Sequence, residues 1–174
     1  MLGTRIFIWL TVSLLFVALP LLAQEGQPAP DFTLQDLEGE SYTLSELNGK
    51  VVLLDFWATW CKPCVVSIPH LNKLNLRFQE EEFLLLGINV DRFKSISSLK
   101  RFVKQYEINY PVLADKGGKV AAQYRAFALP TSFLINEEGR IAKRILGSSP
   151  TLQKELEEEI EKLLKGAGPE EGEE

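Results

Sequence analysis

The sequence predicts an α/β domain: a mixed central sheet flanked by helices, with a β-hairpin on its N-terminal side. Three observations carry this expectation. Val51–Trp57 and Phe83–Val90 are short apolar runs bounded by polar turns, the pattern of strands buried on both faces. The segments that follow them place apolar residues at helical spacing. Thr131–Asn136 and Arg140–Leu146 are two further strand runs, joined by Glu137-Glu138-Gly139 as a hairpin.

Residues 1–23 are a different material from the rest. Arg5 is followed by 18 apolar-rich residues, Ile6 to Ala23, broken by Thr11, Ser13 and Pro20. That is an export signal, either cleaved after Ala23 or retained as a membrane anchor, since the run is just long enough to span a bilayer. Residues 24–30 form a polar, Pro-containing linker to a domain over 31–165. Asp31–Leu37 alternates at period two, Glu38-Gly39-Glu40 turns the chain, and Ser41–Leu44 returns as the second strand. Ser45–Lys50 reads as one helical turn closed by Gly49.

Lys62–Phe78 should be helical, with Ile68, Leu71, Leu74 and Phe78 on one face and Pro69 inside it as a kink. Ser95–Tyr106 should be an amphipathic helix with Leu99, Phe102, Val103 and Tyr106 inward. Pro111–Asp115 is a short strand and Val120–Tyr124 a short helix. Ser149-Pro150 opens the last helix, whose stripe is Leu152, Leu156, Ile160 and Leu163. Residues 166–174, with four glutamates, read as an acidic disordered tail. A length of 174 residues and 45% hydrophobic content suit one domain. The net charge of −5 and the absence of a basic cluster from the exported part argue against nucleic acid as a partner.

The chemistry lies in Cys61-Lys62-Pro63-Cys64, which holds both cysteines of the chain. A strand that delivers a Cys-x-x-Cys to a helix N-terminus is suited to disulfide exchange. The helix end favours the first thiolate, and the short spacing lets the second thiol reach it. Cys61 is the expected nucleophile and Cys64 the resolving thiol. A zinc half-site is the alternative, but two Cys and the lone His70 fall short of a tetrahedral set. Neither a metal nor a cofactor is implied. Pro63 presets φ in the first turn. Lys62 either tunes the thiolate or is a solvated side chain. Trp60 offers a flat contact for partners, and Trp57 belongs to the core. Asp55 is a carboxylate on a doubly buried strand, costly unless it works or is paired. It is read as a proton acceptor, through water, for Cys64, or else as an acid bonded to backbone or Lys50. His70 is read as a surface residue beside Pro69.

Asp55-Phe56-Trp57-Ala58-Thr59-Trp60-Cys61-Lys62-Pro63-Cys64, with Leu129-Pro130-Thr131 downstream, resembles the thioredoxin superfamily. Pro30-Asp31-Phe32 with Leu44, Leu47 and Gly49-Lys50 resembles the N-terminal extension of its TlpA/ResA-type and peroxiredoxin-type (AhpC/TSA-redoxin-like) members. The resemblance runs from Pro30 to about Leu164 and implies a thioredoxin-like fold, with residues 95–124 as the central helix/strand insertion. It also implies a cis Leu129–Pro130 bond beside the cysteines, with Leu129 offering backbone groups to a client chain. Asp55 stands where thioredoxin has its buried acid. TlpA/ResA-type reductases, including those serving cytochrome c maturation, commonly carry Glu three residues after the second Cys. Here that position is Ser67, which weakens a dedicated apocytochrome role but not the disulfide chemistry.

The expected function is therefore an extracytoplasmic thiol–disulfide oxidoreductase, in the periplasm or on the outer face of the cytoplasmic membrane, that reduces client disulfides. Its partners would be client proteins with Cys pairs and an unidentified membrane electron donor. The alternatives are an oxidant of client thiols and a peroxiredoxin-class peroxidase. The peroxidase pattern wants Thr or Ser three residues before the Cys, where this chain has Ala58.

Overall fold

The computed structural model describes residues 25–166. The export-signal reading of residues 1–23 and the tail from 167 onward lie outside the described residues. In chain order the elements are β1 (Thr33–Gln35), β2 (Ser41–Thr43), a 3₁₀ turn (Leu44–Leu47), β3 (Val51–Trp57), α1 (Lys62–Arg77) and β4 (Phe83–Asn89). There follow α2 (Ile96–Gln105), β5 (Val112–Ala114), α3 (Lys119–Gln123), β6 (Thr131–Ile135), β7 (Ile141–Leu146) and α4 (Pro150–Gly166). β1 and β2 form an antiparallel hairpin, and the remaining strands make one sheet in the order β5-β4-β3-β6-β7. β3, β4 and β5 run parallel, while β6 is antiparallel to both β3 and β7, so the sheet is mixed.

β3 is central, and all seven of its residues are buried. Alternation along a strand sends its side chains to opposite faces. Leu54 and Phe56 pack with Val120, Tyr124 and Phe133 in one cluster. Leu53 and Trp57 pack with Leu71 and Leu74 of α1 and Leu156 and Ile160 of α4 in the other. By the same alternation Asp55 points to the face covered by α1 and α4. Each buried Leu or Phe contributes about 1.5–3 kcal/mol relative to exposure, so the two faces clamp β3 in place.

The expected helix starts hold. The Ser95 hydroxyl accepts from the Ser98 amide at 3.2 Å, and the Ser149 hydroxyl accepts from Leu152 at 3.2 Å. Tyr106 does not turn inward as expected. It follows the last turn of α2, is exposed, and lays its ring on Phe102 at 4.4 Å between centroids. Residues 26–29, expected as linker, run along the edge strand β7. Gly26 N–H donates to Ile141 O at 2.7 Å, Ile141 N–H to Gln27 O at 2.9 Å and Ala29 N–H to Gly139 O at 2.9 Å. These bonds satisfy backbone groups that an edge strand otherwise leaves open.

Gly87 on β4, paired with Asp55 across the sheet, makes room for two rings. A Cβ there would lie 3.0 Å from Trp57 Nε1 and 3.0 Å from Tyr110 Cε2, and both side chains are buried. Gly87→Ala should therefore cost about 1–3 kcal/mol through overpacking, read as a lower urea midpoint. An unchanged midpoint would mean that the two rings can separate freely.

Candidate active site

The site is built where β3 gives way to α1. The loop between them is held from just past β4: the Thr59 amide donates to Asp91 Oδ2 at 2.9 Å and its hydroxyl to Oδ1 at 3.3 Å. Asn89 Nδ2 donates to the same Asp91 Oδ2 at 2.9 Å. Cys61 is then the N-cap of α1, and its Sγ accepts the Cys64 amide at 3.3 Å. That amide is one of the unpaired donors at a helix start, and such a donor favours negative charge on the sulfur it faces. Cys61 and Cys64 are joined as a disulfide, with Cα atoms 5.3 Å apart. Lys62 and Pro63 are exposed in the first turn, and Pro63 withholds no amide that the helix needs there.

Asp55 is 3% exposed, and Ser132 on β6 donates to its Oδ1 at 2.9 Å. Burial lifts its carboxyl from the ordinary 3.8 to about 6, with the Ser132 hydroxyl pulling the other way. Desolvation wins because one neutral hydrogen bond replaces little of the hydration a carboxylate loses. Lys50, the alternative partner, is engaged elsewhere, with Glu82 at 2.6 Å. Tyr110 feels the charge of Asp55: burial first, and that carboxylate second, push its phenol well above 10.0.

Asp55 lines a cavity of about 20 Å³ together with Ser67, His70, Pro130, Ser132 and Gln153. The volume suits one water. The Leu129–Pro130 bond is cis, and Pro130 is buried against this cavity. Ser67, at the position where TlpA/ResA-type reductases commonly carry Glu, spends its hydroxyl on the Cys64 carbonyl at 2.8 Å. His70 is not a plain surface residue. It is half-buried, and its Nε2 is fully buried without a hydrogen-bond partner among the described residues.

On the outer side, Trp60 and Leu129 line a groove of about 420 Å³ with Arg92, Phe93 and Phe127. Phe93 is 100% exposed, Phe127 80% and Trp60 69%, three aromatics beside the residues that precede Cys61 and Pro130. Sequence reasoning named Trp60 and Leu129 but missed Phe93 and Phe127, which sit in loops without periodicity. It also missed Ser132, whose place opposite Asp55 depends on the β3–β6 register. Among the described residues no cluster of three or more His, Cys, Asp or Glu is arranged to hold a metal ion.

Residues 25–144 match the AhpC/TSA family. The thiol–disulfide oxidoreductase ResA of Bacillus cereus is 39% identical over 140 residues, covering 80% of this chain and 79% of the relative. A candidate thiol:disulfide interchange protein DsbE from Chlorobium tepidum superposes with a TM-score of 0.75 at 33% identity, over 80% of this chain and 97% of that one. The thioredoxin domain of a thiol-disulfide oxidoreductase from Bacteroides vulgatus gives a TM-score of 0.70 at 28% identity, over 82% and 99% of the two chains.

The raised Asp55 carboxyl fixes the sign of a pH effect. The folded state holds this proton more tightly than the unfolded chain does. Its contribution to stability is full below 3.8 and is lost as pH rises through about 6, a cost of about 3 kcal/mol at neutral pH. Asp55→Asn should remove that cost. Measured by urea unfolding, its stability relative to wild type should improve by about 1–3 kcal/mol between pH 3.5 and pH 7.5. An equal difference at both pH values would refute the raised carboxyl.

Proposed function

The chain belongs to the AhpC/TSA family and is a thioredoxin-like thiol–disulfide oxidoreductase, and on that premise we propose that it reduces client protein disulfides outside the cytoplasm. The observation that carries this reading is the Cys61 sulfur, capped by the Cys64 amide at a helix start. The Cys61 thiolate attacks one sulfur of a client disulfide, and the other client sulfur leaves as a thiolate. Cys64 then gives up its proton and attacks Cys61 Sγ. The Cys61–client bond breaks, the second client thiolate departs, and the protein is left with the Cys61–Cys64 disulfide. The client has gained two electrons and the cysteine pair has lost two. A membrane donor, acting through another dithiol, returns them.

Asp55 takes the Cys64 proton through the water that its cavity can hold. Its carboxyl, at about 6, is matched to proton transfer near neutral pH. Lys62 and Pro63 tune the first turn. Trp60, Leu129 and Pro130 present the client, and the exposed rings of Phe93 and Phe127 extend that contact to apolar side chains flanking the client cysteine. The apolar run over residues 1–23 supports export, as a cleaved signal or an anchor, with residues 31–165 as the catalytic domain.

Single-turnover reduction of a disulfide-bonded peptide separates the two steps. Cys64→Ser should stop at the mixed disulfide. Asp55→Asn should slow resolution roughly 10²-fold while leaving the first attack nearly intact, and Ser67→Ala should leave both steps alone. Loss of resolution in Ser67→Ala with full activity in Asp55→Asn would move the base to α1. The reduction potential of the Cys61–Cys64 pair decides direction. A value below about −230 mV fits a reductant, whereas one near about −120 mV would make the protein an oxidant of client thiols.

A further inference from the structure

We propose that the groove beside the cysteines selects client segments in which an acidic residue adjoins an apolar or aromatic one next to the disulfide, with Arg92 as the residue that meets the acid. The inference rests on the reading of the chain as a reductant of client disulfides. The apolar contact belongs to that reading, and the preference for negative charge is added to it. The groove starts at the chemistry, because Trp60 directly precedes Cys61 and Leu129 directly precedes Pro130. From there it runs between the loop after β4 and α3, and its volume of about 420 Å³ leaves room for a bulky side chain.

The exposed charges around it have one sign. The three segments that build it, residues 58–64, 90–95 and 114–130, contain six cations: Lys62, Arg92, Lys94, Lys116, Lys119 and Arg125. All six are exposed. The same segments contain two acids, Asp91 and Asp115, and both are buried. Asp91 accepts from the Thr59 amide at 2.9 Å, and Asp115 from the Lys119 and Ala121 amides at 3.0 and 2.9 Å, so both carboxylates are turned into the fold. This cationic rim stands on a chain whose net charge is −5. Among the described residues none of the six is paired with a carboxylate, whereas Lys154, Lys162 and Lys165 of α4 each meet a glutamate.

Of the six, Arg92 lines the groove itself. A Cβ on Gly118 would lie 3.7 Å from its Nη2, so the guanidinium rests against the turn that starts α3. Its planar fork suits a carboxylate, and the exposed rings of Phe93 and Phe127 in the same groove suit an apolar neighbour of that carboxylate. Charge of one sign speeds encounter with the opposite sign and disfavours its own, over a range of about 10 Å at 0.1 M salt. An anionic lipid surface would also meet a cationic rim, but a groove that begins at the disulfide favours a substrate chain.

The test is the second-order rate of attack by the full reduced protein on four peptides, each with one intramolecular disulfide. Beside one cysteine they carry Phe-Asp, Phe-Lys, Ser-Asp or Ser-Lys. Each rate is divided by that of dithiothreitol on the same peptide, which removes the effect of the charge on the disulfide itself. Phe-Asp should be the fastest, about tenfold above Phe-Lys at low salt, with the gap closing as salt rises. Arg92→Gln should lower the Asp-to-Lys ratio about threefold, and Arg92→Lys should keep most of it. Phe127→Ser should lower the Phe-to-Ser ratio and leave the Asp-to-Lys ratio in place. Such ratios are insensitive to a general loss of folded or active protein. Equal corrected rates for the acidic and basic peptides would overturn the inference and make an anionic lipid surface the candidate for this face. An acid preference that Arg92→Gln leaves unchanged would equally overturn it. If dithiothreitol reduces all four peptides and the protein reduces none, the reductant reading fails, and the inference with it.

Discussion

A carboxylate sits in the middle of the central strand, with apolar side chains on both sides of it in sequence and helices over its face. Burying Asp55 there costs about 3 kcal/mol at neutral pH, set against a whole-domain stability of about 5–15 kcal/mol. Among the described residues one side chain bonds to it, Ser132 at 2.9 Å. The strand can carry this cost because its other six residues are buried apolar groups split between two clusters. The rigidity that holds Asp55 out of water also fixes where β3 ends, and so where Cys61 begins α1.

Around that strand the parts of the site come from separate elements. The Asp91 carboxylate, two residues past β4, pins the loop at Thr59, and the Cys64 amide faces Cys61 Sγ. The cis Leu129–Pro130 bond brings Pro130 to the cavity that Asp55 lines. The outer face is apolar and aromatic, while the inner face is a one-water cavity bordered by an acid and an imidazole.

Much of this was legible in the sequence because the chemistry interrupts a pattern. Asp55 stands out inside an apolar run, and two cysteines at one helix start leave little else for them to do. Continuous apolar runs and helical spacing located β3, β4, α1 and α4 to within a residue or two. What escaped depends on register or on three-dimensional neighbours. Ser132 meets Asp55 only through the antiparallel pairing of β3 with β6. His70 read as a surface residue because nothing in one dimension shows that Nε2 closes a cavity. Phe93 and Phe127 lie in loops, where an exposed aromatic follows no period. Tyr106 fitted the helical stripe of α2 yet fell one residue past its last turn, where the ring stacks on Phe102 instead of entering the core.

The buried acid is open to direct observation. Selective ¹³C labelling of aspartate carboxyls, with Asp55 assigned by its loss in Asp55→Asn, allows its titration to be followed by NMR in the oxidised protein. The carboxyl should titrate at about 6. A midpoint at the ordinary 3.8 would show that Asp55 is solvated, and it would remove both its cost to the fold and its fitness to accept the Cys64 proton.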